Sequence, residues 1–486
     1  MNDFQEKRWL ALVLLAAAQF VVVLDASIVN VALPSIGKAL DFSQENLSWI
    51  VNAYVLTFGG FLLLGGRVAD LLGRRRVFMA GLMLVAVASL AAGFAATEAQ
   101  LIAARAAQGL GAAIISPAAL SIVTTIFSDG AERNKALGVW GAVAGAGGAA
   151  GVLLGGILTD GLGWEWVLWV NVPVALIAFA LAPRLIAESR ASGEARAFDV
   201  AGAVTITAAL SILVYAVVDA ESSGWGSSKT LGLLALSAAL FAAFVAIELR
   251  ARKPLVPFSI FRIRTLTGAN VVGLLVGASL FSMFYFISLY MQQVLGYSAI
   301  HAGLSYLPLA LTIIVSAGIA SQLVTKLGYK PVLAIGLLFI FAGLAWFSRV
   351  SVGGGFTTDI LGPSLLAAAG LGFAFVTTTI AAVAGVPEHE SGLASGLINT
   401  SQQIGGALGL AVLSSIATSH TASVIADGSG LKDGLTEGFQ VAFLGGSAIA
   451  LLGFFLTLVL IKGSDSRAHV ELGKAEAAAA TEGAEA

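Results

Sequence analysis

The sequence predicts an all-α integral membrane protein of fourteen transmembrane helices, in two six-helix halves with two helices inserted between them. Three observations predict it. Apolar residues make up 58% of the 486 and charged residues 11%, whereas soluble domains carry roughly 45–50% and about 25%. The apolar residues gather into runs of roughly 20, the length that crosses a bilayer as a helix. The chain also repeats itself: Glu132, Gly138, Gly147, Gly148 and Gly151 recur as Glu390, Gly396, Gly405, Gly406 and Gly409, each 258 residues later.

In chain order, spans are expected near 9–31, 48–68, 77–96, 101–126, 136–158, 166–187, 200–219, 230–249, 266–294, 302–324, 331–350, 360–385, 394–418 and 438–461. The first follows Lys7 and Arg8 but is too long for a signal segment and has no small-residue cleavage site behind it, so it reads as a retained span. With a cytoplasmic N-terminus, 21 of the 26 Lys and Arg lie on that side. Only Lys38, Lys229, Arg349 and Lys432 lie on the other, and Arg105 lies inside a span. This positive-inside bias needs an even number of spans and predicts a plasma (inner) membrane protein with both termini cytoplasmic. The expected organisation is a first half over 1–196, an insertion over 197–257 and a second half over 258–463. A mobile cytoplasmic tail rich in Ala and Glu follows over 464–486. Two related halves with a site at their interface suit a rocking secondary transporter.

Several chemistries are excluded. The chain has no cysteine, so neither disulfides nor thiolate metal sites can form. His301, His389, His420 and His469 fall in expected loops or the tail, which leaves no intramembrane histidine relay, metal site or enzyme chemistry. Gly226-Ser227-Ser228-Lys229-Thr230 lacks the glycine that precedes the lysine of a phosphate loop, so no nucleotide is expected. A net charge of −2 gives no sign of nucleic-acid binding, and no cofactor is expected.

The charges that do enter the spans are the informative ones. Asp25 sits in the run Leu24 to Pro34, where a carboxylate costs roughly 2.5–3.5 kcal/mol at a helix centre. Such a charge is kept where it pairs, lines a wet cavity or carries a proton; the plainer alternative is a tie between two helices. Arg105 and Gln108 lie one turn apart in Leu101–Ala113. Asp25 is about six residues, or roughly 9 Å, from the outer end of its span, and Arg105 about four residues, or roughly 6 Å, from its own. At similar depth they can pair directly, through Gln108 or through a water. Gly66 to Arg76 joins the second and third spans, where Asp70 can cap a helix or pair with an arginine. Gly147, Gly151 and Gly155 recur at steps of four beside Gly156, a stripe that lets helices approach closely.

These four stretches together resemble the motifs of the major facilitator superfamily. The fourteen spans and the Asp25 run resemble its drug/proton antiporter branch of the EmrB/QacA type. The resemblance runs from Trp9 to about Lys462, with departures. Val152 follows Gly151 where the family usually has proline, Glu165 stands where arginine is common, and Thr325 replaces the acid in the second copy of the loop, near Gly328. The resemblance implies a major facilitator fold in which Asp25 carries the proton and Arg105 tunes it. Gly66, Asp70, Gly73, Arg74 and Arg75 are expected to gate the cytoplasmic side, with Asp70 and the Arg74–Arg76 cluster holding the halves together.

Candidate substrate-cavity residues are Asn30, Tyr54, Gln108, Asn270, Phe281, Tyr285, Gln292, Tyr306, Asn399 and Gln402, a mixed polar and aromatic set. The alternative for each is an aromatic facing lipid or an amide bonding between helices. The expected function is proton-coupled export of small amphipathic drugs, antibiotics or dyes by a monomer, with small-molecule substrate, protons and lipid bilayer as partners. The alternatives are transport of an endogenous metabolite, lipid or siderophore on the same fold, or a membrane scaffold or sensor. The last six spans hold no Asp or Glu in their apolar cores, so a dicationic substrate is not expected.

Overall fold

The computed structural model describes residues 7–42, 47, 49–127, 130–190, 199–251, 254–387, 390–468 and 470–471, which form helices and no strand. Helices suit a chain in lipid because they satisfy every backbone N–H and C=O within one segment. The long helices are α1 Arg8–Ala39, α2 Trp49–Leu72, α3 Arg74–Gly93, α4 Glu98–Ile126 and α5 Ala131–Gly161. They continue with α6 Glu165–Leu185, α7 Val200–Ser223, α8 Ser228–Glu248, α9 Arg264–Val294 and α10 Ile300–Leu327. The last are α11 Tyr329–Phe347, α12 Phe356–Val383, α13 Ser391–Ala426 and α14 Leu431–Leu460. Thirteen are long and apolar enough to cross a membrane, and α5 makes a fourteenth if its segments Ala131–Gly148 and Ala150–Gly161 count as one span. The chain is thus a multi-pass membrane protein.

The helix ends have local causes. Asp199 caps α7 by accepting from Gly202 N at 2.8 Å, and Ser227 caps α8 by accepting from Thr230 N at 3.2 Å. At Val170 α6 breaks into Glu165–Trp169 and Asn171–Leu185, which makes Asn171 the first residue of a new helix. Two helices outrun the apolar windows. α1 continues to Ala39, with Ile36 fully buried, and α13 runs for 36 residues.

Packing divides the chain into two units that do not follow the sequence repeat. One holds Met1–Ile126, Ala150–Arg262 and Val386–Thr400; the other holds Phe127–Ala149, Ile263–Gly385 and Ser401–Ala486. Helices α5 and α13 each contribute one stretch to either unit. In the first unit α4 packs on α2 and α3, and the inserted α7 packs on α2 and α8. Trp49 of α2 stacks on Tyr215 of α7 with centroids 5.6 Å apart. In the second unit α12 packs on α10 and α11, and α14 packs on α9 and α11.

Three expectations change here. His301 lies in the short helix Ala299–Ser305 and His420 in the late turns of α13, because both helices extend beyond their apolar cores; His389 and His469 lie outside the described residues. The tail expected from 464 is docked at its start. Residues 463–468 are helical, and Ser466, 2% exposed, accepts from Lys330 N at 3.1 Å. Thr265 also donates to Asp465 at 3.3 Å. Residues 472–486 lie outside the described residues.

In the first unit the glycine stripe seats α5 on α1. A Cβ at Gly155 would lie 2.6 Å from Ile28 O, and one at Gly151 would collide with Ser27 Oγ and lie 3.0 Å from Leu24 O. Gly151→Val should therefore lower the melting temperature of the detergent-solubilised protein by several degrees, since overpacking costs typically 1–3 kcal/mol. Gly148→Ala, whose Cβ would meet only Phe284 at 3.9 Å, serves as the tolerated control. Equal melting temperatures for both variants and the parent would contradict this packing.

Candidate functional site

Side chains from α4 and α6 converge on the carboxylate of Asp25, which is 2% exposed on α1. Arg105 Nη1 donates to Asp25 Oδ2 at 2.6 Å. Gln108 Nε2 and Asn171 Nδ2 donate to Asp25 Oδ1 at 3.3 and 2.6 Å. Arg105 is fully buried and held on three further sides. Its Nε donates to Ile50 O at 3.0 Å, its Nη1 to Gln108 Oε1 at 2.9 Å, and its guanidinium carbon lies 4.5 Å from the Tyr54 ring centroid. Tyr54 in turn donates to Val22 O at 2.9 Å, and Gln108 Nε2 also donates to Ser89 Oγ at 2.7 Å. Around these groups lies an apolar shell that includes Leu24, Ile28, Leu101, Trp164 and Leu168.

The physical logic is that of a buried ion pair. Both ions lose their hydration, which is recovered only with good geometry and further hydrogen bonds on the remaining polar atoms. Here Arg105 supplies a planar fork reaching a carboxylate, a backbone carbonyl and an amide oxygen, which a lysine could not match. The arrangement sets one carboxylate and one guanidinium in direct contact inside an apolar region.

A second polar cluster lies at the basic end of the same unit. Asp70 is fully buried at the end of α2 and accepts from Gly392 N at 3.2 Å and Leu393 N at 3.1 Å. These N–H groups belong to the first turn of α13 and lack intrahelical partners, so Asp70 caps that helix from outside and meets the positive end of its dipole. Arg74 Nε donates to Asp70 Oδ1 at 3.1 Å, its Nη1 to Thr125 Oγ1 at 2.6 Å and its Nη2 to Ser391 Oγ at 2.9 Å. Gly66 sits where a Cβ would collide with Gly392 O. Gly73 begins α3 with φ +111°, a backbone that side chains rarely adopt. The expected arginine cluster divides. Arg75 and Arg76 lie 3.8 and 3.6 Å from Glu188, and Arg75 Nη1 donates to Ile186 O at 3.0 Å. They tether the loop to the end of α6 and do not join Arg74 at α13.

The expected cavity residues divide between the two units, four in the first and six in the second. Tyr54 and Gln108 belong to the Asp25 cluster. Asn399 donates to Ser395 O at 2.8 Å and accepts from Ser116 Oγ at 3.3 Å, and Asn30 is exposed. In the second unit Asn270 accepts from Ser401 Oγ at 2.9 Å, and Tyr306 is 1% exposed and stacked on Phe284. Asn270 and Tyr306 each join two helices. Phe281 packs at Gly406, Tyr285 is 38% exposed, Gln292 is exposed, and the buried Gln402 Nε2 has no partner. A cavity of about 430 Å³ lies elsewhere, between α2 and α7, lined by Phe61, Leu64, Val200, Ala203, Val204, Thr207, Ala208 and Ser211. Gly147 and Gly156 are buried. Asn171 was missed as a site residue. Its only signal was an amide beside Val172-Pro173 in an apolar stretch.

The sequence profile of the Major Facilitator Superfamily matches residues 15–410. The chain is 40% identical over 476 residues to the puromycin resistance protein of Streptomyces alboniger, covering 96% of this chain and 94% of that one. It is 40% identical to the cephamycin export protein of Amycolatopsis lactamdurans, covering 93% and 92%. In fold it resembles the solved proton:xylose symporter XylE, with a TM-score of 0.64 over 94% of this chain and 96% of that one at 13% identity.

Removing one partner of a buried pair costs about 3–5 kcal/mol because the other charge is left uncompensated. Arg105→Gln and Asp25→Asn should therefore each unfold at a clearly lower temperature than the parent, and the double variant should lose less than the two single losses summed. Thermal unfolding in detergent measures this cycle, and purely additive effects would rule out the coupling.

Proposed function

The chain belongs to the Major Facilitator Superfamily, and we propose that within it the protein is a proton-coupled exporter of small amphipathic compounds working by alternating access. It is a transporter by family and not an enzyme. The observation that carries the proposal is the buried carboxylate of Asp25, held by Arg105, Gln108 and Asn171 in an otherwise apolar wall. Two relatives named for resistance to, or export of, antibiotics support export as the direction and amphipathic molecules as the cargo. Proton binding at Asp25 would weaken its hold on Arg105, and release would restore it, coupling a charge change to the exposure of the site.

The remaining assignments follow from this reading. On this reading the membrane is the plasma membrane and both termini face the cytoplasm, an orientation that the distribution of Lys and Arg supports. Asp70 and Arg74, docked on the first turn of α13, form the latch that closes the cytoplasmic side. Asn30, Phe281, Tyr285, Gln292, Asn399 and Gln402 remain the candidates for contact with cargo. The cargo is neutral, zwitterionic or singly charged, because Asp25 is already partly neutralised by Arg105 and a second fixed charge would meet no deep acid. The protein works as a monomer.

Asp25→Asn should fold and lose pH-gradient-driven movement in proteoliposomes. The same assay, run on the parent with a monovalent dye and a divalent analogue of similar size, should export the monovalent dye and not the divalent one. Accumulation by Asp25→Asn equal to the parent would remove the proton role, and efficient divalent export would require another acidic site.

Asp70→Asn should loosen the latch. A cysteine placed at Ser395, a buried α13 position in this cysteine-free chain, should then react severalfold faster with a thiol reagent from the cytoplasmic side, since each 1.4 kcal/mol lost shifts the equilibrium about tenfold. An unchanged labelling rate would refute the latch.

A further inference from the structure

We infer that Asn171 is a two-position residue that receives the hydrogen bond of Asp25 when Asp25 is protonated; the inference rests on the reading of Asp25 as the proton carrier. Asn171 is fully buried at the break in α6, with Nδ2 2.6 Å from Asp25 Oδ1. Its own Oδ1 is buried and has no hydrogen-bond partner. A buried amide oxygen left unmatched is rare and calls for a reason.

The protonated state supplies the reason. A neutral acid carries one O–H, and a buried donor without an acceptor is expensive. The other groups bonded to the Asp25 carboxylate face it with donors. Arg105 has only donors. Gln108 turns its Nε2 to Asp25 Oδ1, and its Oε1 points to Arg105 Nη1. Half a turn of the Asn171 side-chain amide brings its Oδ1 to face Asp25 Oδ1. A separation of 2.6 Å lies in the range of O–H···O bonds and at the short edge for N–H···O. Asn171 has one unmatched polar atom in either orientation, so the rotation exchanges one orphan for another. The proton arrives from water and returns to water, and the only covalent bond made or broken is the O–H of Asp25.

The charged and titratable groups facing Asp25 from the helices packed on α1 are Arg105 and Tyr54, on α4 and α2. On those helices Arg67 and Asp70 lie at the basic end of α2, Glu98 at the start of α4, Glu165 is partly exposed on α6, and Arg184 is exposed at the far end of α6.

Infrared difference spectroscopy of the purified full chain in lipid, stepped from high to low pH, tests the inference. A carboxylic acid band that disappears in Asp25→Asn belongs to Asp25; its absence from the parent would defeat the proton-carrier reading itself. Given that band, the parent should show it at the frequency of a hydrogen-bonded acid. Asn171→Leu should move it to the frequency of an unpartnered acid, and Asn171→Thr, whose hydroxyl can donate or accept, should move it back. Proton-driven accumulation should fall tenfold or more in Asn171→Leu, as expected when a buried donor loses its acceptor. If Asn171→Leu does not fold, parent protein labelled with ¹⁵N in its asparagine side chains gives the same answer. Its amide bands should change in step with the Asp25 acid band. An acid band that Asn171→Leu leaves unmoved, or amide bands that do not follow it, would overturn the inference while leaving the role of Asp25 intact.

Discussion

A carboxylate and a guanidinium buried together in an apolar shell constrain the first packing unit more than any other interaction. Asp25 and Arg105 are 2% and 0% exposed, and each offsets the cost of burying the other's charge. Their remaining hydrogen-bonding capacity draws in α2 through Ile50 O and the Tyr54 ring, α3 through Ser89 behind Gln108, and α6 through Asn171. Five helices are thus tied to one point by polar contacts that lipid cannot replace. Hydrophobic contact alone would hold these helices loosely, because lipid tails are as apolar as leucine.

The basic end shows how one repeat differs from the other. In the first unit Asp70 and Arg74 grip the start of α13 with charge-assisted bonds. In the second unit Thr325, at the position matching Asp70, accepts from Asn134 Nδ2 at 3.0 Å. Asn134 is the counterpart of Gly392 at the same offset of 258 that relates the two halves. Position by position the contacts correspond, yet one is ionic and caps a helix, and the other joins a neutral amide to a hydroxyl. Where Asp70 accepts from backbone N–H groups of its partner segment, Thr325 accepts from the Asn134 side chain instead.

Much of the fold was legible because a bilayer admits few solutions. Fourteen apolar stretches, one sided by charge, left little freedom, and only the ends moved, where α1 and α13 outrun their apolar cores. Asp25 and Arg105 stood out because charges within spans are rare. Asn171 did not, since an uncharged amide in a span carries no cost large enough to mark it. The cavity residues were the least legible. Membrane helices are apolar all round, so periodicity does not reveal which face of α9 or α13 turns inward, nor that Asn270 and Tyr306 bond between helices. The docking of Ser466 was hidden by the composition of the tail around it.

The cap on α13 also sets an order in time. Asp70 and Leu393, which it holds, are 323 residues apart in the chain. At a synthesis rate of 5–20 residues per second, roughly 16–65 s separate the emergence of the two. Throughout that interval the end of α2 is already made, while the N–H groups of α13 that Asp70 accepts from in the finished fold have yet to be synthesised. The nascent first half must therefore wait in the membrane with its basic end unfinished, closed at last by a segment from the far side of the gene.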